Sequence, residues 1–175
     1  GGVGKTTIAK EVAVKVKDER MSENVIMAIV SDDVNLEKVQ GQIAEMLGMK
    51  LDEKTESIRA SRLCERLKQE KNLLIILDVL REKLDLGKVG MSFIDDGKYN
   101  KNSKGWKILL TSRNEKLLSD QMKCGRNIKV GLLSDKEAWE LFKRIAELFI
   151  DSISPDFISV AIEIVQKCEG LPLAW

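Results

Sequence analysis

The sequence predicts an α/β fold, a mostly parallel sheet with helices between its strands, followed by a helical tail. Three observations predict it. Short apolar runs at residues 24–31, 73–78 and 107–111 alternate with segments of helical periodicity. A glycine-rich turn, GGVGKTT, lies directly before the first helical segment. After Leu133 the strand signals stop and only helical stripes remain, which places a boundary near residue 133.

Each element has its own signal. Residues 5–20 carry Ile8, Ala9, Val12, Ala13 and Val16 at the spacing of one helix face. Residues 24–31 read as a strand covered on both faces, because such a strand shows no polar alternation. Residues 35–47 return to helical spacing through Leu36, Val39, Ile43 and Leu47, and Gly48 supplies a C-terminal stop. A third helix over 55–71 carries Ile58, Leu63 and Leu67. Strands follow at 73–78 and 107–111, with a short fourth at 127–132. Residues 94–105, IDDGKYNKNSKG, read as a solvated surface loop. A nucleic-acid patch built on its lysines, Tyr99 and the neighbouring Trp106 is the less favoured alternative. In the tail, Ser134 and Glu137 form a capping box that opens a helix with Ala138, Leu141, Phe142, Ile145 and Phe149 on one face. A second helix follows Pro155, striped by Phe157, Ala161, Ile164, Val165 and Cys168.

Composition removes several classes of function. The chain has 175 residues, 29 Lys+Arg against 28 Asp+Glu, and no histidine. A Ser-His-Asp triad, a Cys-His pair and a His-ligated zinc site are therefore excluded within it. A net charge of +1 argues against a nucleic-acid or membrane-surface domain held by bulk electrostatics. No apolar run approaches the ~20 residues of a membrane helix, and the opening residues do not read as a signal peptide. Cys64, Cys124 and Cys168 are odd in number and widely spaced, so they read as buried or indifferent thiols and point to a reducing, intracellular setting.

GGVGKTT is the second half of a phosphate-binding loop, G-x-x-x-x-G-K-[ST], with Gly4, Lys5 and Thr6 at its end. Glycines let successive N–H groups converge on one phosphate, and the helix behind them adds its dipole. Lys5 supplies a point charge to the β- and γ-phosphates, and Thr6 a hydroxyl to Mg²⁺. Such a loop calls for a downstream apolar strand ending in a metal-directed carboxylate. Leu73-Leu74-Ile75-Ile76-Leu77-Asp78 supplies it. Arg113 follows the next strand, at the carboxyl end where ligands of open α/β sheets bind. It reads either as a residue facing the γ-phosphate or as a surface arginine. Ser112 and Asn114 read as turn or cap residues.

The order and spacing of these segments resemble the NB-ARC nucleotide-binding domain of plant disease-resistance proteins, the NLR immune receptors, over essentially the whole chain. GGVGKTT resembles the family's P-loop, NLLIILD (72–78) its Walker B motif and KILLTSRN (107–114) its third nucleotide-binding motif. LSDKEAWELF (133–142) resembles the opening of its helical ARC subdomain, and GLPLA (170–174) its GLPL motif. Residues 25–51 are similar to the coiled-coil class of these receptors rather than the TIR class.

The resemblance implies a P-loop NTPase sheet over 1–133 and the start of a helical ARC subdomain over 134–175. It implies ADP/ATP and Mg²⁺ as cofactors. Gly2, Val3, Gly4, Lys5, Thr6 and Thr7 would bind nucleotide, with Arg113 as sensor and Pro172 against the base and sugar. Thr6 and Asp78 would hold the metal. The parent would be a cytoplasmic switch, held off by ADP and activated by ATP, with coiled-coil and leucine-rich-repeat domains on either side. The loop's first glycine would fall upstream of Gly1, and the strand leading into it is expected to be missing from the middle of the sheet. The 175-residue chain alone is therefore expected to be unstable and to bind nucleotide poorly.

Two positions depart from the family pattern. Val79 stands where a second Asp, a catalytic base or water-positioning group, is usual, and Arg81 stands where the coiled-coil class has Trp. Valine accepts no proton, and Glu82 is the nearest carboxylate. No catalytic residue is assigned, and the expectation is a domain that binds nucleotide but hydrolyses it poorly. A turnover ATPase or small-molecule kinase and a non-functional gene relic are the alternatives. No acceptor-binding region or arginine-rich lid is visible for a kinase.

Overall fold

The computed structural model describes residues 2–30, 34–92, 94–95, 98–99, 105–146 and 154–172. Its elements run α1 (Lys5–Asp18), β1 (Asn24–Ile29), α2 (Leu36–Met46), α3 (Glu56–Leu67), β2 (Leu73–Leu80), β3 (Ile94–Asp95), β4 (Lys98–Tyr99), β5 (Lys107–Ser112), α4 (Asp135–Ile145) and α5 (Pro155–Lys167). One turn of π-helix, Leu117–Gln121, follows β5. Contacts divide the chain into two units, Thr6–Asn127 and Gly1–Lys5 with Ile128–Trp175.

The first unit is built on β2. It lies between β1 and β5, parallel to both, in the order β1-β2-β5. Every residue of β2 except Val79 is buried. Alternate side chains explain why the apolar run is unbroken. Leu73, Ile75 and Leu77 join Ile26 and Ala28 in a core with Val39 and Ile43 of α2 and Leu63 and Leu67 of α3. Leu74 and Ile76 point the other way, with Val25, onto Ala9 of α1. A strand packed on both faces needs an apolar side chain at every position.

Local signals fix the helix ends. α1 stops where Arg20 turns left-handed at φ 52° and Met21 N–H reaches Val16 O at 2.9 Å. α2 starts on Asn35, whose Oδ1 accepts from Lys38 N–H at 2.9 Å, and ends at Gly48, φ 66°. Buried Arg59 of α3 donates from Nε to Gln40 Oε1 and from Nη2 to Glu37 O, both at 3.0 Å, which joins α3 to α2.

The second unit contains α4 and α5. The expected capping box is present: Ser134 N–H donates to Glu137 Oε2 at 2.9 Å, and Ser134 Oγ accepts from Glu137 N–H at 3.4 Å. Pro155 takes the first position of α5, capped by Ser154.

Several expectations are corrected. Residues 127–132 form no strand. Ile128 and Leu132 are 77% and 61% exposed, so their apolar pattern has no face to bury, and β5 pairs only with β2 among the described residues. Alternation without a ladder partner does not make a strand. Within 94–105, the described residues include the short antiparallel pair β3–β4 rather than loop alone. Trp106 is buried, donating from Nε1 to Glu70 O at 3.1 Å, so it offers no exposed ring to a nucleic-acid base. Ile8, Val12, Ile58, Ile145, Phe157 and Ile164 are exposed rather than part of their helices' buried stripes. Phe149 lies outside the described residues. Among the described residues Cys64, Cys124 and Cys168 form no disulfide.

Two outcomes follow. Ile75→Ala, at a position 0% exposed, should cost about 2–5 kcal/mol in urea unfolding, whereas Ile8→Ala, 46% exposed, should cost under about 1 kcal/mol. The Ser134 backbone N–H, and then its hydroxyl, hold the Glu137 carboxyl below its ordinary 4.5. A depressed carboxylate stabilises above its unfolded pKa. The first turn of α4 should therefore be fully capped above pH 4.5 and fray as pH falls through the lowered value. Cα chemical shifts against pH check this, and Glu137→Gln should flatten the profile.

Candidate functional site

The glycine-rich turn owes its shape to two left-handed residues, Gly2 at φ 88° and Gly4 at φ 87°. Only glycine adopts this backbone without strain, and the alternation curls the chain so that N–H groups converge. Val3 lies between them, and α1 begins at Lys5. Gly2, Val3, Gly4, Lys5 and Thr6 are half-buried and Thr7 is exposed. The first turn of α1 contains no acidic residue, so no carboxylate competes for its positive end.

The same unit brings Pro172 to this turn. A Cβ placed on Gly4 would lie 4.0 Å from Pro172 Cγ. Gly170 makes the approach possible. At φ 71° it sits so close to the backbone that an added Cβ would collide with Leu133 O. Its own carbonyl accepts the Leu133 N–H at 3.0 Å. Gly170 is thus pinned to the residue just before the α4 cap.

In the other unit, Asp78 and Arg113 lie at the carboxyl ends of β2 and β5. Register runs evenly to Leu77↔Leu110 and resumes at Leu80↔Ser112, so Asp78 and Val79 together oppose Thr111 alone. This is a bulge in a parallel pair, an uncommon irregularity. Val79 absorbs it at φ 66°, an outlier for a β-branched residue. Its N–H donates to Thr111 Oγ1 at 3.0 Å. Thr111 Oγ1 is in turn hydrogen-bonded to Asp78 Oδ1. Asp78 is 0% exposed, and its Oδ2 is buried without a hydrogen-bond partner among the described residues.

An orphaned buried carboxylate oxygen is costly unless something pairs with it. Its chemistry fits a hard divalent cation, which takes oxygen ligands. Among the described residues no group of three or more acidic or cysteine side chains comes together. Mg²⁺ needs none, since one or two carboxylates with phosphate oxygens and water suffice.

Arg113 is exposed, immediately after β5. Ser112 and Asn114 act as the turn and cap residues expected: Asn114 N–H donates to Ser112 Oγ at 3.0 Å, and Asn114 Oδ1 accepts from Leu117 N–H at 3.3 Å. Glu82, the nearest carboxylate in sequence, is exposed. Sequence reasoning missed Thr111. It lies within KILLTSRN, but its partner depends on a strand register that periodicity does not reveal.

A parallel sheet layered between helices, with a P-loop at the start of α1 and a buried Asp at the end of the central strand, defines a P-loop nucleotide-binding class of α/β domain. The NB-ARC domain family model matches residues 1–148. The chain belongs to the NB-ARC family. Among its relatives, a probable disease resistance protein of Arabidopsis thaliana is 36% identical over 99% of this chain and 18% of its own length. A second is 37% identical over 99% of this chain and 20% of its own length. A putative disease resistance protein of the same plant is 36% identical over 99% of this chain and 45% of its own length. The chain thus spans about a fifth of the length of the first two. No described helix is long and apolar enough to cross a membrane.

Left-handed backbone at a β-branched residue costs about 1–2 kcal/mol, and Asn tolerates it better. Val79→Asn should therefore raise stability by up to about 1 kcal/mol. Urea midpoints of the two forms check this, and a lower midpoint for Val79→Asn would contradict it.

Proposed function

We propose that the chain is the ADP/ATP-binding switch module of a cytoplasmic plant immune receptor acting in defence. ADP holds the off state, and exchange for ATP permits activation. The observation that carries the reading is the turn formed by left-handed Gly2 and Gly4 running straight into a helix that opens with Lys5 and Thr6. Backbone N–H groups from Gly2 to Thr7 cradle the phosphates, and Lys5 supplies the charge. Thr6 and Asp78 are the residues that would hold Mg²⁺, which when bound neutralises phosphate charge. Arg113 serves as the sensor of the γ-phosphate, and Pro172 contacts the base and sugar. Coiled-coil and leucine-rich-repeat domains flank the module in the receptor.

A ligand shifts a two-state equilibrium only by its differential affinity for the two states. The helical part that carries Pro172 is proposed as the moving element. Nucleotide identity, not rapid turnover, then sets the state. Val79 stands where the family has a second Asp and accepts no proton, which supports slow hydrolysis.

Titration of the receptor with fluorescent ADP tests the binding. Lys5→Ala should weaken it by about 10-fold or more, the value of a charge-assisted hydrogen bond. Loss of nothing in that variant would contradict the reading. Hydrolysis is tested by comparing Val79→Asp with Val79→Asn. Aspartate alone should raise ATP turnover, and equal rates in all three forms would remove the argument from Val79.

A further inference from the structure

Thr111 occupies an unusual place in the hydrogen-bond pattern around Asp78. A hydroxyl has one proton to give. Thr111 Oγ1 accepts the Val79 N–H at 3.0 Å, so its proton is left for Asp78 Oδ1, its other partner. Both side chains are withdrawn from solvent, Thr111 at 9% and Asp78 at 0% exposure. One carboxylate oxygen is therefore tied and the other, Oδ2, is buried with no partner among the described residues. Rotating the carboxylate would break the Thr111 bond, so that bond fixes which oxygen remains available.

The neighbouring backbone supports the same arrangement at a cost. The Val79 N–H that orients the hydroxyl is aimed by a left-handed residue inside a bulge. Strain of this kind persists only where the surroundings over-determine it. Ser112 offers no substitute, because its hydroxyl donates to Leu80 O at 2.7 Å. Most buried carboxylate oxygens are satisfied. Glu53 Oε2 is also without a partner among the described residues, but its side chain, paired with Arg62, is 20% exposed, whereas Asp78 is wholly buried. This one has a hydroxyl fixing one oxygen and nothing on the other.

We propose that Thr111 is a positioning residue that holds Asp78 so that Oδ2 faces the divalent cation accompanying the nucleotide, with the Val79 N–H orienting Thr111. The inference rests on the nucleotide-binding reading above. Outer-shell partners of ligating carboxylates typically change metal affinity about 10- to 100-fold when removed.

The experiment uses the receptor that carries this chain, titrated with fluorescent ADP in EDTA and then with Mg²⁺ at fixed ADP. Thr111→Val should raise the half-saturating Mg²⁺ concentration about 10- to 100-fold while leaving ADP affinity in EDTA unchanged. Thr111→Ser, which keeps the hydroxyl, should match the unsubstituted protein. Asp78→Asn should lose the Mg²⁺ effect altogether. Should the valine variant not fold, Thr111→Cys, a weaker donor, should fall between serine and the loss seen with asparagine at 78. An unshifted Mg²⁺ midpoint in Thr111→Val, or in Thr111→Cys where that variant replaces it, overturns the inference alone. A loss of ADP affinity in EDTA equal to that in Mg²⁺ also overturns it, since a merely structural role would do that. Failure of the unsubstituted receptor to bind ADP in either condition overturns the nucleotide reading, and the inference with it.

Discussion

The pairing of β2 with a parallel neighbour on each side is the constraint on which the larger unit depends. It makes a strand that is buried along its length, and burial on both faces requires the run Leu73–Leu77. That run then delivers Asp78 to the end of the sheet with no exposure to water. Fully burying a Leu or Ile side chain stabilises by about 1.5–3 kcal/mol, so the run Leu73–Leu77 together outweighs one imperfectly satisfied carboxylate. The apolar strand and the costly acid at its tip are parts of one design.

The chemistry at that tip comes from a departure from regularity. An even ladder would oppose Asp78 to Thr111 and Val79 to Ser112. The bulge gives β2 one extra residue there, and the left-handed Val79 turns its N–H onto Thr111. The second unit shows a parallel case. Gly170, φ 71°, packs so closely on Leu133 that no side chain fits, and Pro172 is thereby set beside Gly4. In both places an unusual backbone angle places a side chain that regular structure would aim elsewhere.

Much of this was legible in the sequence. The glycines of the loop, the continuous strand ending at Asp78 and the Ser134–Glu137 box each have a local cause, and local causes survive folding. What was not legible depended on partners. Residues 127–132 read as a short strand, as 24–31 do, but among the described residues only the latter have a ladder to join. The exposed Ile8, Ile58 and Phe157 fit helical stripes as well as their buried neighbours do, because spacing marks a face without saying what covers it. Thr111 was passed over because its role rests on register. The family resemblance, read from five motifs, agrees with the NB-ARC match to residues 1–148.

The central proposal is that the glycine turn, the tip of the sheet and residues Gly170 to Pro172 each respond to one bound nucleotide. Amide hydrogen exchange of the receptor with and without ADP and Mg²⁺ tests it most directly. Protection should rise together at Gly2 to Thr7, at Val79 and Thr111, and at Gly170 and Leu171, with little change along the solvent side of α3. Protection confined to one of these segments, or absent from all of them, would contradict the account.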